Sequence, residues 1–234
     1  MKVSIVIPTY NESENIENFI LTLEKKLHRH NVHGEIIVVD DNSPDGTSEI
    51  VARLAKKYKN LKLLCRKNKR GKGSAIADGA KLAKYENIAM IDADFQYNPE
   101  DIFRLLAAAK NRDIVVTRRV YESLPFTRKV LSSTFRFLQK LVLRLGVGDT
   151  QSGLKLLKKT VFESIKLDET GFAFDIELLL KARKKGFSIK EVPIKFHERT
   201  RGKSKVGVLK TSFELLLKCV SLKLKIDLFG KIEE

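Results

Sequence analysis

Five short runs of β-branched and aliphatic residues alternate with helix-forming stretches through the first half of the chain, and this rhythm limits the fold more than any other feature. Val3–Ile7, Glu35–Val39, Leu61–Leu64, Ile88–Ile91 and Asp113–Thr117 read as buried strands, the first of them stopped by Pro8. Between them, Ser13 opens a helix carrying Ile16, Phe19, Ile20, Leu23 and Leu27 on one face, and a second helix is capped near Thr47 or Ser48. An alanine-rich helix covers about Ser74–Lys84, and Asn98-Pro99-Glu100 opens another by the cap-then-proline rule. Regular βαβα alternation with short connections predicts a doubly wound, mostly parallel α/β sheet with helices on both faces.

The second half has a different texture. Phe126–Leu145 places Leu131, Phe135, Leu138, Val142 and Leu145 on one stripe, and Leu209, Phe213, Leu216, Val220 and Leu224 repeat the pattern near the C-terminus. Both read as core-packing helices or, flanked by lysine and arginine, as amphipathic helices in a membrane interface. Val192–Phe196 reads as a short extended segment. With 234 residues the chain can bury one large core, and its formal net charge of +16 predicts anionic partners. No apolar leader and no span of bilayer length is visible, so a cytoplasmic protein is expected. Cys65 and Cys219 form no paired motif and read as small core residues rather than zinc or redox ligands.

In an open α/β sheet, ligands bind beyond the carboxyl ends of the strands. The polar clusters here fall at such ends: Pro8-Thr9-Tyr10-Asn11-Glu12, Asp40-Asp41-Asn42-Ser43, the basic loop Arg66–Gly73, and Asp92-Ala93-Asp94. Together they offer a ring for stacking, carboxylates for base and ribose donors, basic residues, and paired oxygen ligands suited to magnesium or manganese. This combination suits a nucleoside diphosphate. The first strand lacks G-x-G-x-x-G, and Gly71-Lys72-Gly73-Ser74 departs from a P-loop, with Arg66 where the first glycine belongs. His28, His30 and His33 read as solvent-exposed rather than as a metal site.

These clusters, with Val39-Asp40-Asp41-Asn42-Ser43-Pro44-Asp45-Gly46, the Gly-x-Gly-x-Ala loop at Gly71–Ala75 and Asp92-Ala93-Asp94-Phe95-Gln96, resemble the inverting family-two glycosyltransferases of the GT-A fold. More narrowly they resemble the polyprenyl-phosphate, dolichol-phosphate mannose synthase-like branch, from Lys2 to about Gly207. The resemblance implies a catalytic domain over 1–207, with a nucleotide-sugar half near 1–117 and an acceptor half near 118–207, then an amphipathic helix and tail at 208–234.

By the same resemblance, Pro8, Tyr10, Glu12, Val39 and Asp41 hold the nucleoside. Asp92, Asp94 and Gln96, with the backbone of Ala93, bind a divalent metal and the diphosphate, and Arg199 and Lys205 close over it. Arg118, Arg128 and Ser132 receive the acceptor phosphate, with Arg119 as the alternative to Arg118 in Val-Thr-Arg-Arg. Asp149–Gly153 matches the family's Ser-Gly segment, and Glu177 its aromatic-x-x-Glu. The catalytic set is thus Asp94, Arg118, Arg128, Ser132 and Glu177.

The implied reaction is metal-dependent, inverting transfer of a hexose from a nucleotide-diphosphate sugar, GDP-mannose favoured, to dolichyl or polyprenyl phosphate. It implies Mg2+ or Mn2+ as cofactor and a peripheral position on the inner face of the membrane. Attachment is through the anionic surface or through a separate membrane-anchoring subunit. The enzymatic alternative is a hydroxyl acceptor, which needs Glu177 or Asp175 as general base. A nucleic-acid-binding protein is the other class, disfavoured because the basic residues are not interleaved with exposed-looking aromatics.

Overall fold

The computed structural model describes residues 1–68, 71–121, 139–171, 173–197 and 208–228, with the backbone alone over 208–216 and at 228. A seven-stranded sheet in the order β3-β2-β1-β4-β6-β5-β7 organises these residues. The strands are β1 (Lys2–Thr9), β2 (His33–Asp40), β3 (Leu61–Cys65), β4 (Asn87–Met90), β5 (Ile114–Tyr121), β6 (Lys155–Lys158) and β7 (Ile189–Phe196). The helices are α1 (Ser13–Arg29), α2 (Thr47–Lys57), α3 (Lys72–Leu82), α4 (Asp101–Ala108), α5 (Lys159–Ser164), α6 (Phe174–Lys184) and α7 (Val208–Leu228).

Period-two alternation along the strands sorts the core. Val3, Ile5 and Ile7 of β1 and Ile36 and Val38 of β2 face the layer built by α1, α2 and α4. Val6, Ile37 and Val39 face α3 on the other side. In the second half Ile114, Val116 and Leu157 meet α5, α6 and α7 across that same second face. Both faces of the central strands are therefore dry, which is why these strands read as continuous apolar runs.

The expected end of β1 is corrected. Pro8 does not stop β1: it stays in register with Val39, and the strand runs on to Thr9. The Val6 carbonyl accepts the Ile91 N–H, whereas the Thr9 carbonyl accepts from Asp41 across β2. Pro8 shares the parity of Val6, so its missing N–H faces the side where β4, paired only from Ser4 to Val6, has already ended. β6, which carries no alternation legible in Lys-Leu-Leu-Lys, is a further strand and inserts antiparallel between β4 and β5 in an otherwise parallel sheet. Cys219 is buried as expected, but Cys65 is exposed at the end of edge strand β3.

The C-terminal helix also departs from its expected stripe. Cys219, Leu222 and Ile226 are the residues buried in the core, while Leu217, Val220 and Leu224 point outward. Each set follows i, i+3, i+7 spacing, so the helix is apolar on two faces and only one is covered by the described residues. Most of the other helix expected over Phe126–Leu145 lies outside the described residues.

α3 reaches the sheet closely because Gly79 has no side chain. A Cβ there would overlap Val6 and crowd Val39. Gly79→Ala is expected to cost about 1–3 kcal/mol by overpacking. Gly171→Ala, with open space around the added methyl, should stay within about 0.5 kcal/mol. Urea unfolding of both variants checks the contrast.

Candidate active site

β1 and β4 are parallel neighbours, and β2 and β3 extend away from β1 on the side opposite β4. The gap beyond the carboxyl ends of β1 and β4 is therefore a topological switch point, where α/β sheets form a ligand crevice. Every described strand except β6 points its carboxyl end toward this edge, and β6, running the other way, presents its amino end there. Pro8–Glu12, Asp40–Asp45, Arg66–Asn68, Gly71 and Lys72, Asp92–Gln96, Arg118 and Arg119, and Ser152-Gly153 are collected at one edge by topology alone.

On the nucleoside side, Asp40 and Asp41 are both buried. Asp40 accepts from the Thr9 hydroxyl at 3.0 Å and from the Ser43 N–H at 2.8 Å, locking the ends of β1 and β2 together. Asp41 pairs with Arg66 and accepts the Gly71 N–H at 2.9 Å. Arg66 also donates to Ser74 at 2.7 Å and to the Gly71 carbonyl at 3.0 Å, so one buried guanidinium holds the loop before α3 against β2. Val39 lies wholly in the core and offers only backbone to a ligand. Glu12 accepts from Asn15 at 2.9 Å, while its N–H donates to Thr47 at 3.0 Å. Pro8 and Tyr10 are half-buried at the crevice rim.

Asp92 and Asp94 follow β4 directly. Asp94 is buried and accepts the Gln96 N–H at 3.1 Å across Phe95, a residue with φ 58°. That conformation is strained for an aromatic residue, and the edge-to-face packing of Phe95 on Phe19, centroids 5.0 Å apart, helps to hold it. The carboxylates thus sit on a stiff turn. Ala93 is buried beneath them.

Asp92 does not face solvent alone. The Lys72 ammonium, from the first turn of α3, lies 2.6 Å from one oxygen of Asp92 and 2.7 Å from the other. Beyond Lys72 stands Asp175 of α6, which is 2.6 Å from the fully buried ammonium of Lys155. Burial opposes the charge on Lys72, yet Asp92 and Asp175 together raise its pKa. For Lys155 burial prevails over Asp175 and the pKa falls. Asp92, Lys72, Asp175 and Lys155 therefore form a row of alternating charge leading from the crevice into the core. Gly153 makes room for it, because any Cβ there would collide with Asp92.

The floor beside this row is Tyr97, whose hydroxyl accepts the Gly153 N–H at 2.7 Å. Burial pushes its pKa well above the ordinary tyrosine value. Arg119 makes a two-pronged pair with Asp149, at 2.7 and 2.9 Å, and lies over Phe196. Burial works against the Asp149 charge, but Arg119 beside it holds that carboxyl below its usual range. Arg118 has the freer guanidinium: its side chain is 47% exposed and its contact with Glu191 is 3.4 Å. Of the two arginines, Arg119 anchors the 148–149 turn and Arg118 is presented to solvent.

Glu177 is committed to the turn before α6. Its buried carboxylate accepts N–H bonds from Asp168 and Glu169 and pairs with Lys181 at 2.6 Å. It lies two residues from Asp175, on another side of α6, and holds the 168–169 turn. Arg128, Ser132, Arg199 and Lys205 lie outside the described residues. His28, His30 and His33 are exposed as expected, and His30 stacks on Phe103. Lys155 was not legible as a site residue, and Lys72, though inside the basic loop Arg66–Gly73, could not be matched to Asp92 by any spacing in sequence.

Among the described residues no three His, Cys, Asp or Glu side chains assemble into a metal cage. A magnesium-type ion needs none, since one or two carboxylates hold it while substrate phosphates complete its shell. Asp92, Asp94 and Gln96 supply hard oxygen donors, and the ammonium seated on Asp92 marks a position where positive charge is favoured. The residues fit a divalent ion that arrives with a diphosphate.

Fold and crevice together define an α/β protein of the GT-A type. Residues 4–166 match the model of Glycosyl transferase family 2, and the chain belongs to that family. It is similar to the dolichol-phosphate mannosyltransferase of Pyrococcus furiosus, 38% identical over 92% of this chain and 62% of that protein. It is also similar to the polyprenol monophosphomannose synthase of Mycolicibacterium smegmatis, 34% identical over 87% of this chain and 80% of that one. The chain thus spans less than two thirds of the Pyrococcus relative's length. Among solved structures, mannosyl-3-phosphoglycerate synthase from Rubrobacter xylanophilus superposes with TM-score 0.77 over 100% of this chain and 76% of that one, at 18% identity. Glucosyl-3-phosphoglycerate synthase from Mycobacterium tuberculosis, in complex with Mn2+, UDP-glucose and phosphoglyceric acid, superposes with TM-score 0.74 over 95% and 79%, at 18% identity. At these identities the likeness is one of fold.

The innermost link of the charge row gives a stability test. Lys155→Ala leaves Asp175 without its closest counter-charge and should cost about 3–5 kcal/mol. The double variant Lys155→Met with Asp175→Leu should fall within about 2 kcal/mol of the parent. Calorimetric melting separates the two, the single variant dropping roughly 6–15 °C.

Proposed function

We propose that the protein transfers a hexose, mannose from GDP-mannose being favoured, from a nucleotide-diphosphate sugar to dolichyl or another polyprenyl phosphate, with inversion. The observation that carries this reading is the pair of curated relatives, 38% and 34% identical, named for mannosyl transfer to such lipids. The crevice supports it. Tyr10 would offer a ring to the base and the Asp41–Arg66 pair charged hydrogen-bonding groups to base and ribose, and Asp92, Asp94 and Gln96 would hold Mg2+ or Mn2+ on the donor diphosphate. When bound, the ion would neutralise the leaving diphosphate.

The chain's own residues then have to position an acceptor. Arg118 presents its guanidinium from the second half of β5, past the stretch paired with β6, and Arg128 and Ser132 join it in this reading, as do Arg199 and Lys205 over the donor. Arginine offers a planar fork that matches phosphate oxygens. An acceptor phosphate is ionised at neutral pH and needs little deprotonation.

A hydroxyl acceptor is less well served. Asp175 is tied to Lys155 and Glu177 to the 168–169 turn, so neither of the two candidate bases stands unengaged. A lipid acceptor also accounts for the outward apolar stripe of α7. Leu217 is 56% and Leu224 53% exposed, with Lys218 and Lys225 beside them. Among the described residues no helix is long and apolar enough to cross a membrane. In this reading α7 lies on an anionic membrane surface, on its cytoplasmic side, directly or beside an anchoring subunit.

Incubation with a short-chain polyprenyl phosphate, Mn2+ and a panel of nucleotide sugars tests the activity. Asp94→Ala should lower kcat by at least about a hundredfold, and Arg118→Ala should mainly raise KM for the lipid phosphate, by about tenfold. Full turnover by Asp94→Ala would sink the proposal. Separately, Leu217→Ser with Leu224→Ser should weaken co-sedimentation with anionic vesicles while leaving the melting temperature nearly unchanged; equal sedimentation would remove α7 as the membrane surface.

A further inference from the structure

Lys72 occupies a position that the donor reading does not explain. Its ammonium sits symmetrically on both oxygens of Asp92, the carboxylate that would otherwise join Asp94 on a metal ion. We propose that Lys72 is a built-in cation that competes with the metal for Asp92 in the ligand-free protein and turns to the donor diphosphate when nucleotide binds. The inference rests on the nucleotide-diphosphate reading given above and adds a residue and a binding order to it.

The backbone around Lys72 is clamped, so the exchange belongs to its side chain. Gly71, at φ 91°, gives its N–H to Asp41 at 2.9 Å. Gly73 gives its own N–H to the Thr170 carbonyl at 2.8 Å, and a Cβ on Gly73 would come within 2.5 Å of Phe174. These contacts fix the start of α3 at the crevice, where helix N–H groups already favour a phosphate. Beyond the clamp runs the four-carbon lysine stem, a flexible carrier for a point charge. The Lys72 side chain is 26% exposed and that of Asp92 28%, so the pair lies at the crevice surface and a ligand can reach it.

Charge decides the direction of the exchange. Among the described residues Asp92 is matched by the Lys72 ammonium and Asp175 by that of Lys155, so the row balances before a ligand arrives. Such a site attracts a divalent ion weakly, because its nearest carboxylate is already neutralised. A nucleoside diphosphate brings further negative charge for both Lys72 and the metal, and moving Lys72 onto phosphate releases Asp92. Metal and nucleotide then bind with positive coupling, and nucleotide retains affinity without metal because one cation belongs to the protein.

Two measurements on the intact chain test this. Mn2+ binding to the ligand-free protein is followed by electron paramagnetic resonance, and GDP and UDP binding by calorimetry in EDTA and in Mn2+. Lys72→Met is expected to bind Mn2+ at least about fivefold more tightly without nucleotide, and to lose about tenfold in metal-free affinity for whichever nucleotide the parent binds. Lys72→Arg, which keeps the charge, should hold metal-free nucleotide affinity within about threefold of the parent, and this excludes a folding defect at α3 as the cause. An unchanged Mn2+ affinity in Lys72→Met overturns the proposal, as does an unchanged nucleotide affinity in EDTA. If the parent binds neither GDP nor UDP even with Mn2+, the donor reading itself fails, and the ligand-free Mn2+ comparison alone decides the role of Lys72.

Discussion

The buried pair between Lys155 and Asp175 is the interaction on which the rest of this architecture leans. A lysine with no exposed surface is tolerable only with a charge partner and a further acceptor, and Lys155 has both in Asp175 and the Ser152 carbonyl. Its strand, β6, is the reversed strand between β4 and β5, so the pair ties the sheet's centre to α6. From α6 the constraint spreads outward. Phe174 and Thr170 brace the start of α3, Glu177 holds the turn before it, and Lys218 of α7 pairs with Glu169 at 2.7 Å.

That bracing explains how a crevice of short loops keeps its shape. Each loop is fastened by a polar group that the core does not use: Asp40 for the β1 and β2 ends, Arg66 for the loop before α3, Asp94 for the turn through Phe95, and Tyr97 for Gly153. Buried polar groups of this kind have little tolerance for being left unpaired. Their satisfaction holds the side chains that would meet a ligand against a rigid frame. The more exposed groups, Arg118 and the Lys72–Asp92 pair, stand in front of that frame.

Much of the first half was legible in sequence because its signals are local. An apolar run buried on both faces, a cap, a proline after a cap and a helical period can each be read from neighbours in the chain, and β1 to β5 and α1 to α4 fall within a few residues of their expected places. The limits arose where local grammar is silent. Pro8 continues a strand only because β4 is too short to need its N–H. Cys65 is exposed because β3 proved to be an edge strand. On α7, Cys219, Leu222 and Ile226 were chosen for burial over an equally apolar stripe two positions away by what α6 presents to them.

The sequence by itself determined the class of fold, the polar strand ends and the acidic turn at Asp92–Asp94, since these follow from periodicity and from which residues a short connection can carry. Only the tertiary structure decided partnership. It set Lys72 on Asp92 across 20 positions and Lys155 on Asp175 across another 20. It turned Arg119 inward to Asp149, left Arg118 outward, and engaged Glu177 with the 168–169 turn. The physical reason is that charge pairing depends on distance through space, and a strand inserted in reverse between β4 and β5 brings together groups whose separation along the chain carries no trace of the contact.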